Sequence, residues 1–284
     1  ANTFTNRLGT ITTGLDFYHD EATGTRQGRI GAASEAGTSS ERASNVGAFA
    51  QFRVPVTDEW RMSFGGRVDN QWFHGTDGAD HFNYGFSGNA NTEYDAFEWL
   101  TAYAGAGTTF GGIPLGEAAI YDFSAIWTSG GVSPSRSYNF KTGLNAEYEG
   151  FTGSLGLFYN DIEDDHDLSS YRRSTAFDLV TRGFTLGAGY RYQDAFVKGN
   201  WSHTIVRMDG VPPSSGSAAY FGQLQGDLFS LEAGYEFTDY GGRTGATSEM
   251  ALRNDEVEEL PLPGYVVVNL YTEYTPKQAE FLTL

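Results

Sequence analysis

Apolar and polar residues alternate with period two along successive short stretches of this chain. In the stretch 136–149, Tyr138, Phe140, Thr142, Leu144, Ala146 and Tyr148 share one face. Ser137, Asn139, Lys141, Gly143, Asn145 and Glu147 share the other. Glu149-Gly150 then interrupts the pattern for two residues. The next stretch sets Phe151, Leu155, Leu157 and Tyr159 against Thr152, Ser154, Gly156 and Asn160. Strand side chains point to alternate faces, so this pattern predicts a β-hairpin with one apolar face. A long polar stretch, 163–177, separates it from the next alternating run.

The same reading over the whole chain predicts strands at 8–19, 45–55, 59–73, 84–95, 98–109, 136–149, 151–162, 178–192, 195–208, 227–238, 242–253 and 264–275, with a thirteenth starting at Phe281. Short turns fall at 54–58, 95–97, 149–150, 193–194, 239–242 and 276–279. Long connections fall at 20–44, 74–83, 110–135, 163–177, 209–226 and 254–263, and the two classes alternate strictly. The long ones hold the turn formers, such as Asp77-Gly78, Gly130-Gly131 and Pro212-Pro213. Tight turns on one edge and long polar loops on the other are the topology of a transmembrane antiparallel β-barrel. The chain reads as one architectural unit with no interdomain linker.

Composition agrees with spanning by strands rather than helices. The chain has 284 residues, and its best apolar run, 265–271, is far short of the roughly 18 residues that a spanning helix needs. A barrel strand needs only about 9–11 residues, half of them facing lipid. The mean hydropathy of −0.39 is therefore compatible with a membrane barrel. Glycine is abundant at 37 residues, and 17 Tyr and 21 Phe suit aromatic girdles at two membrane interfaces. A soluble β-sandwich is the competing architecture. The net charge of −18 excludes nucleic acid as a natural partner, because binding it requires Lys and Arg to neutralise phosphates. Zero cysteines leave neither a disulfide framework nor a thiolate metal site. The first residues lack the basic start and apolar stretch of a signal peptide. Phe281-Leu-Thr-Leu284 resembles a strand without a partner, so the chain is expected to be incomplete at its end.

Five motifs resemble TonB-dependent outer-membrane receptors. The stretch 100–117 resembles the aromatic-glycine strand that leads into a Phe-Arg-Ala-Pro box followed by Glu and Tyr. Phe110, Pro114, Glu117 and Tyr121 match, whereas Gly111 and Gly112 depart from Arg-Ala and one residue is inserted. Gly131-Val-Ser-Pro-Ser-Arg-Ser-Tyr-Asn139 is similar to the family's Leu-Lys-Pro-Glu-x-Ser-x-Asn entry to the next strand. Pro134, Ser137 and Asn139 match there, with Ser135 in place of Glu. Phe158-Tyr-Asn-Asp-Ile162, Arg182-Gly-Phe-x-Leu186 and Leu262-Pro-Gly-Tyr-x-Val-Val-Asn269 follow in the family's order. The resemblance implies a 22-strand barrel, of which about 12–13 strands are here, with the plug domain and the last strands absent. It implies a multi-pass protein of the Gram-negative outer membrane that takes up a scarce large ligand, most readily a ferric siderophore. The energy would come from a TonB-type protein through the missing plug. A passive porin-like or adhesin-like barrel is the alternative function.

The expected ligand-binding residues are loop aromatics and cations: Tyr84, Phe86, Tyr121, Trp127, Tyr171, Arg172, Arg173, Tyr220 and Phe221. Pockets for amphipathic anions combine aromatic faces with a few fixed charges, and Arg172-Arg173 stand out in an acidic chain. The competing assignment puts these aromatics in the interface girdle and these arginines on lipid phosphates or lipopolysaccharide. Lys141, Glu147, Arg191 and Lys198 are expected to face the lumen and meet a plug. The acidic run 161–167 lacks the glycine and spacing of a calcium loop and reads as a solvated loop. Asp80-His81 beside His74 invites comparison with barrel hydrolases, but no matching pair is found at other strand ends, so no enzyme activity is expected. Haem-transporting members carry a ligating His between the two boxes. No His occurs in 110–133, and no metal or cofactor is expected.

Overall fold

The computed structural model describes residues 1–30, 33–75, 78, 80–113, 134–167, 174–209, 226–237, 241–253 and 263–275. Among them there is no helix. The strands are β1 (Asn2–Asn6), β2 (Gly9–Ile30), β3 (Ala33–Pro55), β4 (Trp60–His74), β5 (Asp80–Phe97) and β6 (Leu100–Gly112). They continue as β7 (Ser135–Tyr148), β8 (Phe151–Asp167), β9 (Ser174–Tyr192) and β10 (Ala195–Asp209). The last are β11 (Gly226–Phe237), β12 (Gly242–Ala251) and β13 (Tyr265–Tyr274). All thirteen lie in one sheet in chain order, each antiparallel to the next, with β1 and β13 as its two edges.

The register brings one class of side chain to each face. Leu144 sits opposite Leu155, which sits opposite Leu186, which sits opposite Trp201 and then Phe229. One residue along, the polar face places Asn145 opposite Ser154 and Ser154 opposite Gly187. That polar face lines a hollow of about 1040 Å³ bounded by residues from β1 to β7, among them Thr5, Gln51, Asn91, Tyr103 and Lys141. The sheet therefore curls with its polar face inside. The apolar face is outermost, and Leu15, Tyr84, Val268 and Leu270 are among its most exposed side chains. A soluble protein would bury such a face, whereas a lipid bilayer solvates it.

The short turns at 149–150 and 193–194 lie where the sequence places them. Glu149 and Gly150 both take positive φ, as the two-residue hairpin turn requires, and Gln193 does so at the next tight turn. The turn expected at 95–97 lies two residues later, because β5 runs to Phe97 across a bulge between Asp95 and Phe97.

Three of the long connections, 20–44, 74–83 and 163–177, are shorter than the sequence suggests. Residues 20–44 are not a loop: β2 and β3 pair continuously from Thr10↔Arg53 to Ile30↔Ala33. Likewise 163–177 contributes to β8 as far as Asp167 and to β9 from Ser174, with two register shifts on the way. Backbone groups pair in a ladder whatever the side chains are, so polar strands continue beyond the apolar band. Periodicity detects only the part that faces lipid. A further strand, β1, precedes the first one expected, and it brings the described strands to thirteen. The strand expected from Phe281 lies outside the described residues.

Candidate functional site

The inner wall of the sheet carries three sets of charged side chains. In the first, Arg67 on β4 reaches across β3 to Asp16 on β2 (Nη2 to Oδ1, 2.8 Å) and also donates to Asp69 (Nε to Oδ2, 2.8 Å). Gly47 lies beneath it, and a Cβ there would collide with the guanidinium. Asn45 donates to the buried carboxylate of Asp69 at 2.8 Å. The second set stands near the short turns, where Arg61 donates to Asp95 at 3.0 Å and to Glu93 at 3.4 Å. Thr101 completes it with a 2.8 Å bond to Asp95.

The third set ties five strands together. Glu232 on β11 accepts from Lys198 on β10 and from Tyr271 on β13, each at 2.7 Å, and from Arg243 on β12. Arg243 also stacks over the rings of Phe196 and Tyr271, at 4.7 and 5.3 Å from their centres. Arg191 on β9 donates to Glu236 at 2.6 Å. These inner charges neutralise one another, which suits a polar wall beside low-dielectric lipid. Between the first and third sets runs a wall of amides, hydroxyls and glycines: Ser63, Asn89, Asn91, Asn139, Asn145 and Asn160, with Lys141 among them.

At the long-loop end, Gln71 on β4 clasps the backbone of Ile113, donating to its carbonyl and accepting from its N–H, both at 2.8 Å. Ile113, Phe73 and Ala43 form a small buried core there. The Phe110 N–H bonds to Ser87 Oγ at 2.9 Å, and the Phe110 ring fills the space over Gly85, where any side chain would collide with it.

The expected site residues divide sharply. Tyr84 and Phe86, expected at a ligand pocket, project from the outer apolar face, 77% and 52% exposed, in register with Asn70 and Val68. Strand alternation turns them away from the polar hollow, so their position is that of girdle residues. Of the motif residues, Phe110 stands two residues before the end of β6, Pro134 precedes β7, and Ser137 and Asn139 lie on the polar face of β7, 3.3 Å apart (Oγ to Nδ2). Pro114, Glu117, Tyr121, Trp127, Tyr171, Arg172, Arg173, Tyr220 and Phe221 lie outside the described residues. Lys141, Glu147, Arg191 and Lys198 stand on the polar face as expected, and Arg191 and Lys198 are held by Glu236 and Glu232. The Asp80, His81 and His74 group is divided by the sheet. Asp80 lies 2.8 Å from His74 Nδ1 on the outer face, while His81 points inward beside Phe73. Gln71, Arg67 and Glu232 escaped the sequence reading, although their period-two placement on polar faces was visible there.

The family model described as TonB dependent receptor-like, beta-barrel matches residues 1–284. The chain belongs to the TonB-dependent receptor family. Such receptors are outer-membrane β-barrel proteins, so the apolar face of this receptor barrel meets lipid and its polar face the lumen. Among curated proteins, the heme transporter BhuA of Brucella ovis and that of Brucella abortus are each 29% identical to it. The match covers 100% of this chain and 43% of theirs, so the chain spans less than half the length of these relatives. Solved structures similar in fold include the FrpB iron transporter of Neisseria meningitidis, with a TM-score of 0.76 at 15% identity over 98% of this chain and 47% of that one. The copper transporter OprC has a TM-score of 0.75 at 15% identity, covering 96% of this chain and 46% of its own.

Proposed function

We propose that the full-length protein is an active importer of an iron chelate, driven by a TonB-type energising protein acting through a plug inside a barrel of 22 strands. The observation that carries this reading is the whole-chain family match on a sheet whose outer face is built for lipid and whose inner wall is polar. The thirteen described strands form one sheet with β1 and β13 at its edges, and an edge left open in lipid leaves backbone groups unsatisfied, which favours a closed barrel. The inner charge sets and the amide wall between them give a plug a surface of ready hydrogen-bonding groups.

For the ligand, a ferric siderophore fits the absence of His in 110–133, where haem-transporting members carry a ligand to the haem. The second reading, haem, is favoured by the BhuA relatives, which match along the whole chain. In either case the ligand is anionic, and Tyr171, Arg172 and Arg173 are its proposed contacts. The experiment is growth of an iron-starved host strain that expresses the full-length protein, supplied with haem or with ferric siderophores. Growth on one source that disappears when the energising protein is deleted supports the proposal and identifies the chelate. Uptake that persists without the energising protein favours a passive porin-like barrel.

A further inference from the structure

The outer face is asymmetric in charge. Below a level marked by Trp72, Phe82, Tyr138 and Tyr159, Asp227 is the one Asp, Glu, Lys or Arg among its described strand residues down to the short turns. The outward strand cations with described side chains, Arg42, Arg136, Arg182 and Arg207, all stand at the long-loop margin. On β9, Arg182 is exposed and makes no hydrogen bond or ion pair among the described residues. Of the inward arginines, Arg61, Arg67, Arg191 and Arg243 are paired, whereas Arg53 faces the polar hollow.

Arg182 stands at the head of an apolar groove. Its register neighbours are Tyr159 on β8 and Ile205 on β10, with Arg207 diagonally beyond. The near wall of the groove, Leu186 and Trp201, lies four residues toward the short turns, roughly 13 Å along the strand, and the groove of about 450 Å³ opens over Gly199, two residues further on. Leu186, Trp201, Phe229, Leu231 and Val266 wall it. Between the two, Asp227 is occupied: Trp201 Nε1 donates to it at 2.7 Å, and His203 Nδ1 lies 3.0 Å away. The Asp161 carboxylate accepts from the Tyr159 hydroxyl at 3.3 Å. The two nearby acids are thus engaged, while the cation is open.

We propose that this outer face of β8–β11 holds one phosphorylated lipid of the outer leaflet, the lipid A part of lipopolysaccharide. A lipid phosphate accepts from the Arg182 guanidinium, whose planar donors match phosphate oxygens. An acyl chain lies in the groove at Gly199, and the Trp201 ring sits between chain and headgroup with its N–H satisfied. The restriction of outward cations to the long-loop margin fits a leaflet whose headgroups carry phosphate, and the site is independent of the imported ligand.

The test is native mass spectrometry of the full-length protein in nonionic detergent, titrated with bisphosphorylated lipid A or with lipid A stripped of phosphate. Wild-type protein is expected to bind the phosphorylated form at one site about tenfold or more tightly than the stripped form, the worth of one charge-assisted hydrogen bond. Arg182→Gln is expected to remove that preference. Gly199→Leu, which fills the groove, is expected to weaken both forms. Heat-modifiable gel migration reports folding of each variant, and the two-lipid comparison on wild type stands without any variant. Equal binding of the two lipids by wild type, or an unchanged preference in folded Arg182→Gln, would overturn the proposal.

Discussion

Gln71 and Ile113 are bound by two reciprocal hydrogen bonds of 2.8 Å, the carboxamide of one closing on the backbone of the other. The pair ties β4 to the end of β6 across β5, at the point where the chain leaves the sheet for the 110–135 connection. Gln71 is 3% exposed and Ile113 1%, so neither partner has water as a substitute.

Replacing Gln71 by Ala is therefore expected to orphan a buried N–H and a buried C=O. The cost is about 1–3 kcal/mol, and it should be concentrated at the end of β6 rather than spread through the sheet. Hydrogen exchange of the 108–113 backbone, compared with that of β12, checks this. Uniform acceleration in both regions would mean that the clasp has no local role.

Arg67→Met leaves the Asp69 carboxylate, whose side chain is 7% exposed, with the Asn45 amide as its remaining hydrogen-bonding side chain. Allowing for the partial exposure of Arg67, the expected loss is about 2–3 kcal/mol in urea unfolding followed by gel mobility. Asp16→Asn, at the open end of the same set, should shift the midpoint far less. Equal shifts for the two variants would contradict the assignment of Asp69 as the buried member.

Leu231 lies in the middle of the outer belt, in register with Gly199 and Ser248. Leu231→Arg is expected to destabilise the barrel in lipid by about 2–4 kcal/mol, as charge near the bilayer midplane does. Asn200→Arg, one residue from Gly199 and on the polar face, should change stability by less than about 1 kcal/mol. Refolding into bilayer vesicles with both variants measures the difference, and tolerance of Leu231→Arg would mean that this face does not meet lipid.

Arg172→Ala combined with Arg173→Ala is expected to weaken equilibrium binding of the chelate by the full-length receptor. The loss should be roughly ten- to hundredfold if one charge-assisted contact is removed. Unchanged affinity with normal surface display would assign these arginines to lipid or to the loop itself.

The alternation of Tyr138 to Tyr148 against Ser137 to Glu147, and the turn at Glu149-Gly150, were legible in the sequence because both are local. A period of two and a positive φ are set by neighbours along the chain, and they fix which face meets lipid and where the chain reverses. The motifs around Phe110, Ser137 and Asn139 likewise carried the family. Strand length was not legible: β2 and β3 continue to Ile30 and Ala33 through residues such as Gly28 that read as loop, because only a partner's backbone completes a ladder. Nor did the sequence separate Tyr84 and Phe86 from ligand-facing aromatics, since their outward side follows from pairing with Asn70 and Val68. Arg67 meeting Asp16, or Glu232 meeting Tyr271, joins residues far apart in the chain. Such pairs depend on register across several strands and on a glycine beneath the crossing side chain. Sequence period determined the faces, and tertiary pairing decided which charges on the inner face satisfy each other and which cation on the outer face stands open.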